Sequence, residues 1–313
     1  MPGVTLPGGS QMAVEVREQP AVLRASAKHN RADIESLSAG MPGRVRLLGH
    51  GSSAHAARFG AQVLEARRGI QADVVPPPDA TGGSAVYRPG ELVIALSQSG
   101  ETPTLVSAVR RAVAAGARVV AITNVPGSEL SRVADLTLGC EAGVERAVPA
   151  TKSFLSQAAL LLALAAGVGS MNAVAAAIDE LLADPPADVV RPRLIAGARS
   201  AAPIAGEVAL KFAEAAGLSV AAVDAAEALH GATAAGEEVL VLAPAMDGNV
   251  QRLAALPRVR VLLPGDALPS TGDPDADALV LAVVGQLLAL NLAVDKDRDP
   301  DRPPGLRKVT RSY

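Results

Sequence analysis

Short apolar runs alternate along the chain with longer stretches of helical spacing. Val45–Leu48, Ala72–Val75, Glu91–Leu96, Ala117–Thr123 and Asp135–Leu138 are brief and bounded by Gly, Pro or polar residues, and read as strands. The stretch after Gly49–Ser53, as far as about Arg68, and Thr102–Ala115, with Leu105, Val106, Val109, Ala112 and Val113 on one stripe, read as helices, as does Ser128–Val133. Strand–helix alternation of this kind predicts an α/β fold with a parallel sheet. Helices Ser153–Ala166 and Met171–Ala183 complete a first unit, and Asp184–Asp188, with two prolines, reads as a linker. The pattern then restarts. Arg46–Ser53 aligns without gaps to Arg193–Ser200, each followed by an Ala-rich helix, with strands expected at Ser219–Val223, Glu238–Ala243 and Val259–Leu263. Ahead of the first unit, residues 1–12 lack periodicity and are expected to be disordered; Ala13–Leu37 is helical, with Pro20 expected to kink or restart it. Asp277–Leu292 is a last apolar helix before a charged, Pro-rich tail from Asp295 to Tyr313. The expected division is 1–40 (tail and helix), 41–183 (first unit), 184–192 (linker), 193–294 (second unit) and 295–313 (tail).

With 49% hydrophobic and 19% charged residues over 313 positions, the chain can bury large cores. Aromatics are 2% and Trp is absent, so the cores are aliphatic and stacking on a base is disfavoured. A net charge of -3 argues against general nucleic-acid binding. The single cysteine, Cys140, excludes an intramolecular disulfide and a cysteine metal cage, and reads as a buried strand-end residue. The four histidines, His29, His50, His55 and His230, lack metal-ligand spacing, so neither a metal nor another cofactor is expected. Phe154–Val168, interrupted by Ser156, Gln157 and Gly167, is too short to span a membrane, and no signal peptide is evident; a cytoplasmic location is expected.

The candidate chemistry starts at Ser97-Gln98-Ser99-Gly100-Glu101-Thr102, a turn from a strand's carboxyl end into a helix. Helix N-terminal N–H groups with Ser and Thr hydroxyls form an uncharged cradle for an anion such as phosphate. A simple helix cap is the alternative. Gly49–Ser53 is a second such turn, whereas Pro244–Gly248 in the second half lacks the hydroxyls, so an anion is expected on the first unit. Glu207, Lys211 and Glu214 share one helix face; a solvated ion-pair face is the alternative to catalysis there. His230 can exchange protons near neutrality, or it is an idle residue of a Gly/Ala-rich loop. Lys308 can form a Schiff base, or it is an exposed tail lysine. His50 reads as a helix N-terminal residue with local hydrogen bonds, His29 as a surface residue and Lys152 as a support of its loop.

Together the Ser97–Thr102 and Gly49–Ser53 turns, Glu18–Leu23, Ala142–Glu145, Val148–Lys152, Pro203-Ile204 with Glu207–Lys211, Glu227–Gly231 and Pro303–Thr310 resemble the sugar isomerase (SIS) domain proteins. The likeness covers almost the whole chain and is nearest to the isomerase half of glucosamine-6-phosphate synthase and to stand-alone glucosamine-6-phosphate deaminases and isomerases. It implies two flavodoxin-like SIS units in tandem, each a parallel sheet flanked by helices on both faces, and a homodimer. It implies phosphate held by Ser53, Ser97, Ser99 and Thr102, with Ser52, Gln98 and Val148 touching the sugar. Glu214 would be the proton-transferring base, Lys211 its electrostatic partner, His230 the ring opener contributed across the subunit interface, and Lys308 a catalytic lysine. Pro149 and Ala150 stand where the family usually has Ala and Ser.

The reaction implied first is glucosamine 6-phosphate to fructose 6-phosphate and ammonia. A fructosamine-phosphate deglycase, another hexose-6-phosphate isomerase and a non-catalytic phosphosugar sensor are the alternatives. Synthase activity with glutamine is not expected, because no glutaminase segment with an N-terminal cysteine precedes the first unit, and a regulator's DNA-binding module is not expected in the 40 or so residues ahead of it.

Overall fold

The apolar runs form two parallel sheets in the computed structural model, which describes residues 10–75, 87–233 and 238–308. The expected disorder of residues 1–9, most of the Pro76–Pro89 loop, and Val309 and Thr310 of the tail motif lie outside those residues. Helices α1 (Gln11–His29) and α2 (Arg31–Ala39) lead into β1 (Arg44–Leu48), α3 (Ser52–Arg68), β2 (Gln71–Val74), β3 (Leu92–Ser97), α4 (Pro103–Ala114), β4 (Arg118–Thr123), α5 (Glu129–Val133) and β5 (Leu136–Gly139). Then come α6 (Lys152–Ala166), α7 (Gly169–Ala183), β6 (Leu194–Gly197), α8 (Ala202–Ala216), β7 (Ala221–Asp224) and the single turn α9 (Ala225–Glu227). The chain continues through β8 (Val239–Leu242), α10 (Gly248–Ala254), β9 (Val259–Leu262) and α11 (Pro274–Asp295).

The first sheet runs β2-β1-β3-β4-β5 and the second β7-β6-β8-β9, with every pairing parallel. The first order is the flavodoxin-like one, and the second repeats its first four positions. Every residue of β3 is buried, as expected of a central parallel strand. Around it pack Leu48, Leu105, Val109, Val119 and Leu130, an aliphatic core of the expected kind. The second sheet has its own core, including Leu194, Ala196, Val241, Val250 and Leu253.

Two compact units result. One holds Ala21–Val144 with Ser153–Asn172 and the five-stranded sheet. The other holds the described residues through Pro20, Glu145–Lys152 and Ala173–Lys308, with the four-stranded sheet. They interleave along the sequence, where the expected division runs in consecutive blocks.

Several expectations need correction. α1 starts at Gln11 and continues through Pro20 to His29; the break falls at Asn30 instead. There the Asn30 amide donates to the Gly139 carbonyl at 2.8 Å and its Oδ1 accepts the Gly139 N–H at 2.9 Å, so a side chain extends the pairing of β5 and stops the helix. The Pro244–Gly248 turn lacks the hydroxyls, as expected, and Asp247 in it caps α10 by accepting from the N–H groups of Asn249 and Val250 at 2.9 and 3.0 Å. His230 lies in a helical turn that runs on from α9 and kinks at the next residue, Gly231, whose φ is 143. α11 is the one described helix long and apolar enough to cross a membrane, but 94% of its most apolar window is buried within the protein. It is packed so tightly on α8 that a Cβ at Gly285 would come within 2.3 Å of Val208.

Candidate active site

β1 and β3 are neighbours, and the chain goes opposite ways from them, β1 to β2 and β3 to β4. This is the topological switch point where open α/β sheets bind ligands. Both expected turns leave the carboxyl ends of these two strands. Ser97 Oγ accepts from the Gly100 N–H at 3.0 Å and lies 3.4 Å from Thr102 Oγ1; Ser99 Oγ accepts from the Glu101 N–H at 3.3 Å. Gly100 has φ +66, and a Cβ there would lie 2.1 Å from Ser128 Oγ. Thr102 occupies the N-cap position of α4, followed by Pro103, yet its hydroxyl makes no capping hydrogen bond. α3 begins after Gly51, again without a side-chain cap, with Ser52 half-buried and Ser53 buried in its first turn. The local-cap reading therefore does not hold for Thr102. Two helix N-termini without side-chain caps, with hydroxyls beside them, leave N–H groups and positive dipole ends for an anion.

Gln98 is half-buried, and its carbonyl accepts from the Asn124 N–H at 3.2 Å. His50 Nε2 sits 3.0 Å from Thr104 Oγ1, a partner 54 residues away in the first turn of α4 rather than the local one expected, and burial lowers its pKa. His29 is exposed and Cys140 buried, as expected.

The other unit holds the expected catalytic groups and Val148. On α8, Lys211 is 0% exposed and Glu207 1%, with Nζ 3.4 Å from Glu207 Oε1 and donating to Glu214 Oε2. The solvated ion-pair reading is thereby overturned. Burial opposes the lysine's charge, but Glu207 and Glu214 outweigh it and its pKa is raised. Glu214 is the member that reaches the surface, its side chain 16% exposed.

Lys308 is no free tail lysine: its Nζ donates to Glu145 Oε2 at 2.8 Å. Glu145 is buried, and its Oε1 accepts from the Thr151 N–H at 3.1 Å. Beside it Glu15 Oε1 accepts from the N–H groups of Arg146 and Ala147, while Oε2 has no partner among the described residues. Burial, reinforced by the charge of Glu145, raises the Glu15 pKa against the opposing pull of those N–H groups and Lys308. Neither Glu15 nor Glu145 is marked as a site residue by sequence pattern alone. For Glu15 a signal exists: a carboxylate in the buried stripe of Met12, Val16, Gln19 and Leu23. The Val148 N–H donates to the Asp301 carbonyl at 2.9 Å, so it is not free for a sugar. Lys152 pairs with Glu18, consistent with structural support of its loop. His230 is exposed and joins neither carboxylate–lysine cluster by a hydrogen bond among the described residues. No group of three His, Cys, Asp or Glu among the described residues is arranged to hold a metal ion.

Residues 42–167 match the SIS domain. The chain is 34% identical over 342 aligned positions to a glutamine–fructose-6-phosphate aminotransferase (isomerizing) of Aeropyrum pernix, covering 93% of this chain and 53% of that protein. It spans about half the length of the curated relatives it matches. A candidate phosphosugar isomerase from Silicibacter pomeroyi DSS-3 superposes with a TM-score of 0.79 at 27% identity, covering 93% of this chain and 100% of that one. A glucosamine-6-phosphate deaminase from Thermotoga maritima shares the fold, with a TM-score of 0.78 at 22% identity, covering 96% and 99%. The five-stranded sheet and its two hydroxyl-rich turns lie within the residues that match the SIS domain.

Proposed function

We propose that the protein is a phosphosugar isomerase that converts glucosamine 6-phosphate to fructose 6-phosphate and ammonia. The observation that carries the reading is the burial of Lys211 against Glu207 and Glu214, with Glu214 alone of the three reaching the surface. A phosphate-binding module needs the turns of the first sheet but has no use for a buried lysine holding an accessible carboxylate.

In this reading Ser53, Ser97, Ser99 and Thr102 hold the phosphate, and Ser52, Gln98 and Val148 contact the sugar, Val148 through groups other than its N–H, which Asp301 occupies. His230, from the other subunit of a cytoplasmic homodimer, moves the anomeric hydroxyl proton to the ring oxygen and opens the ring. Glu214 takes the C2 proton and returns it to C1 while one amine proton passes to O1, converting the 2-amino aldose to the C2 imine; Lys211 stabilises the carboxylate in its charged form. The Lys308 ammonium passes a proton to Glu145, its amine adds to C2 and ammonia leaves. Water then hydrolyses the Lys308 imine, freeing fructose 6-phosphate and the amine. One water is consumed and one ammonia released per turnover.

The test is formation of fructose 6-phosphate and ammonia from glucosamine 6-phosphate by the purified protein. Glu214→Gln should abolish turnover yet keep the thermal stabilisation given by the sugar phosphate, and Lys308→Ala should lower ammonia release. Full activity in Glu214→Gln would refute the assignment of the base. Turnover of a different hexose 6-phosphate or a fructosamine phosphate would keep the isomerase class and change the substrate. Stabilisation by hexose 6-phosphates without any turnover would favour a sensor.

A further inference from the structure

Beyond α11 the chain runs through a proline-containing tail to Lys308. Asp301 engages its surroundings with almost every polar atom it has. Its Oδ2 accepts from the Gln11 N–H at 2.7 Å and its Oδ1 from the Met12 N–H at 2.8 Å. These are first-turn donors of α1, which a helix leaves unsatisfied unless something caps them. Ser10 supplies an ordinary local cap, its Oγ accepting from the Ala13 N–H at 3.1 Å. Asp301 adds a second cap from 290 residues away and brings a negative charge to the positive end of the helix dipole. Its carbonyl accepts the Val148 N–H at 2.9 Å, and its own N–H donates to Asp299 Oδ1 at 2.9 Å.

The Lys308–Glu145 pair has one member on the tail and the other on the 145–152 segment. Asp301 is bonded to both segments, through its place in the tail and through Val148. α1 grips the 145–152 segment a second time, one turn further along, where Glu15 accepts from Arg146 and Ala147. Pro303 and Pro304 stiffen the chain between Asp301 and Lys308.

We propose that Asp301 is a positioning residue for Lys308: seated on the N-terminus of α1 and bonded to Val148, it fixes where the lysine amine meets Glu145. The catalytic meaning of that position rests on the function proposed above; the position itself does not. Removing the carboxylate cuts the tail's bonds to the N-terminus of α1 and leaves the Val148–Asp301 backbone bond, the buried Pro300 and Pro303 and the ion pair to hold it.

Trace acetylation of the full-length protein, read lysine by lysine by mass spectrometry, tests this, with exposed Lys28 and Lys296 as internal references. Asp301→Ala should raise the Lys308 labelling rate about tenfold, the scale of lost charge-assisted hydrogen bonds. Asp301→Asn, which keeps an acceptor oxygen and loses the charge, should give a smaller rise and provides a second variant should the alanine form fail to fold. Ser10→Ala removes the local cap of α1 without touching the tail and should leave Lys308 labelling unchanged. In turnover assays Asp301→Asn should lower kcat with KM nearly constant. Unchanged Lys308 labelling in both Asp301 variants would overturn the proposal, as would an equal rise in Ser10→Ala. A protein that turns over no sugar phosphate, yet shows the expected labelling, would lose the proposed function and keep the positioning role.

Discussion

Lys211 shows how burial changes the meaning of a residue. A lysine three or four positions from two glutamates is commonplace on a solvated helix and contributes little there. At zero exposure the same pair of carboxylates holds a charge that burial alone would suppress. Lys211→Met should therefore cost about 3–5 kcal/mol, because it leaves Glu207 buried beside Glu214 with no cation. Urea unfolding of Lys211→Met and of the double variant with Glu207→Gln checks this: the second change should restore part of the loss. The folded pKa of Lys211 is raised above 10.5, so its contribution is fully present at neutral pH and is lost only as pH rises through that higher value.

Glu15 is also shifted upward, but here it is the neutral form that the fold favours. Its folded pKa lies above the usual 4.5, so the folded protein holds a proton that the unfolded chain has released, and stability drops as pH rises through the folded value. Glu15→Gln keeps an oxygen for the Arg146 and Ala147 N–H groups. Its thermal midpoint should gain on the wild type between pH 4.5 and neutrality; a constant difference across that range would remove Glu15 as a titrating group.

At the scale of elements, the strand–turn–helix units of the first sheet were readable because everything that makes them is local. The apolar run, the glycine and the hydroxyls lie within a dozen residues, and parallel pairing then brings the ends of β1 and β3 side by side. Gly100→Ala tests the turn. Positive φ together with a Cβ 2.1 Å from Ser128 should cost about 1–3 kcal/mol and abolish the stabilisation by glucosamine 6-phosphate. Calorimetry with and without the sugar phosphate separates the two effects. Where elements were misread, the deciding partner was remote. Pro20 is tolerated inside α1, and the helix stops at Asn30 because Gly139, 109 residues later, offers its backbone N–H and carbonyl.

For the whole molecule, the two units divide the proposed labour. The five-stranded unit carries Ser52, Ser53, Ser97, Gln98, Ser99 and Thr102; the four-stranded unit carries Lys211, Glu214, His230, Lys308 and Val148. If His230 serves the other subunit, mixing His230→Ala with Glu214→Gln chains should recover about a quarter of wild-type activity, since half the dimers are mixed and each mixed dimer has one intact site. No recovery in a confirmed mixed dimer would return His230 to its own subunit or to no role.

Local pattern dictated the alternation of strands and helices, the two hydroxyl-rich turns and the shared face of Glu207, Lys211 and Glu214, because helical and strand periods are set by residues a few positions apart. The path of the chain through space settled the burial of that face, the end of α1, the capping of α10 and the meeting of Glu15, Glu145 and Lys308. Lys308 and Glu145 stand 163 residues apart, and no local period carries information over that distance. Their meeting depends on how α1, the 145–152 segment and the tail pack together, and packing is a property of the assembled core.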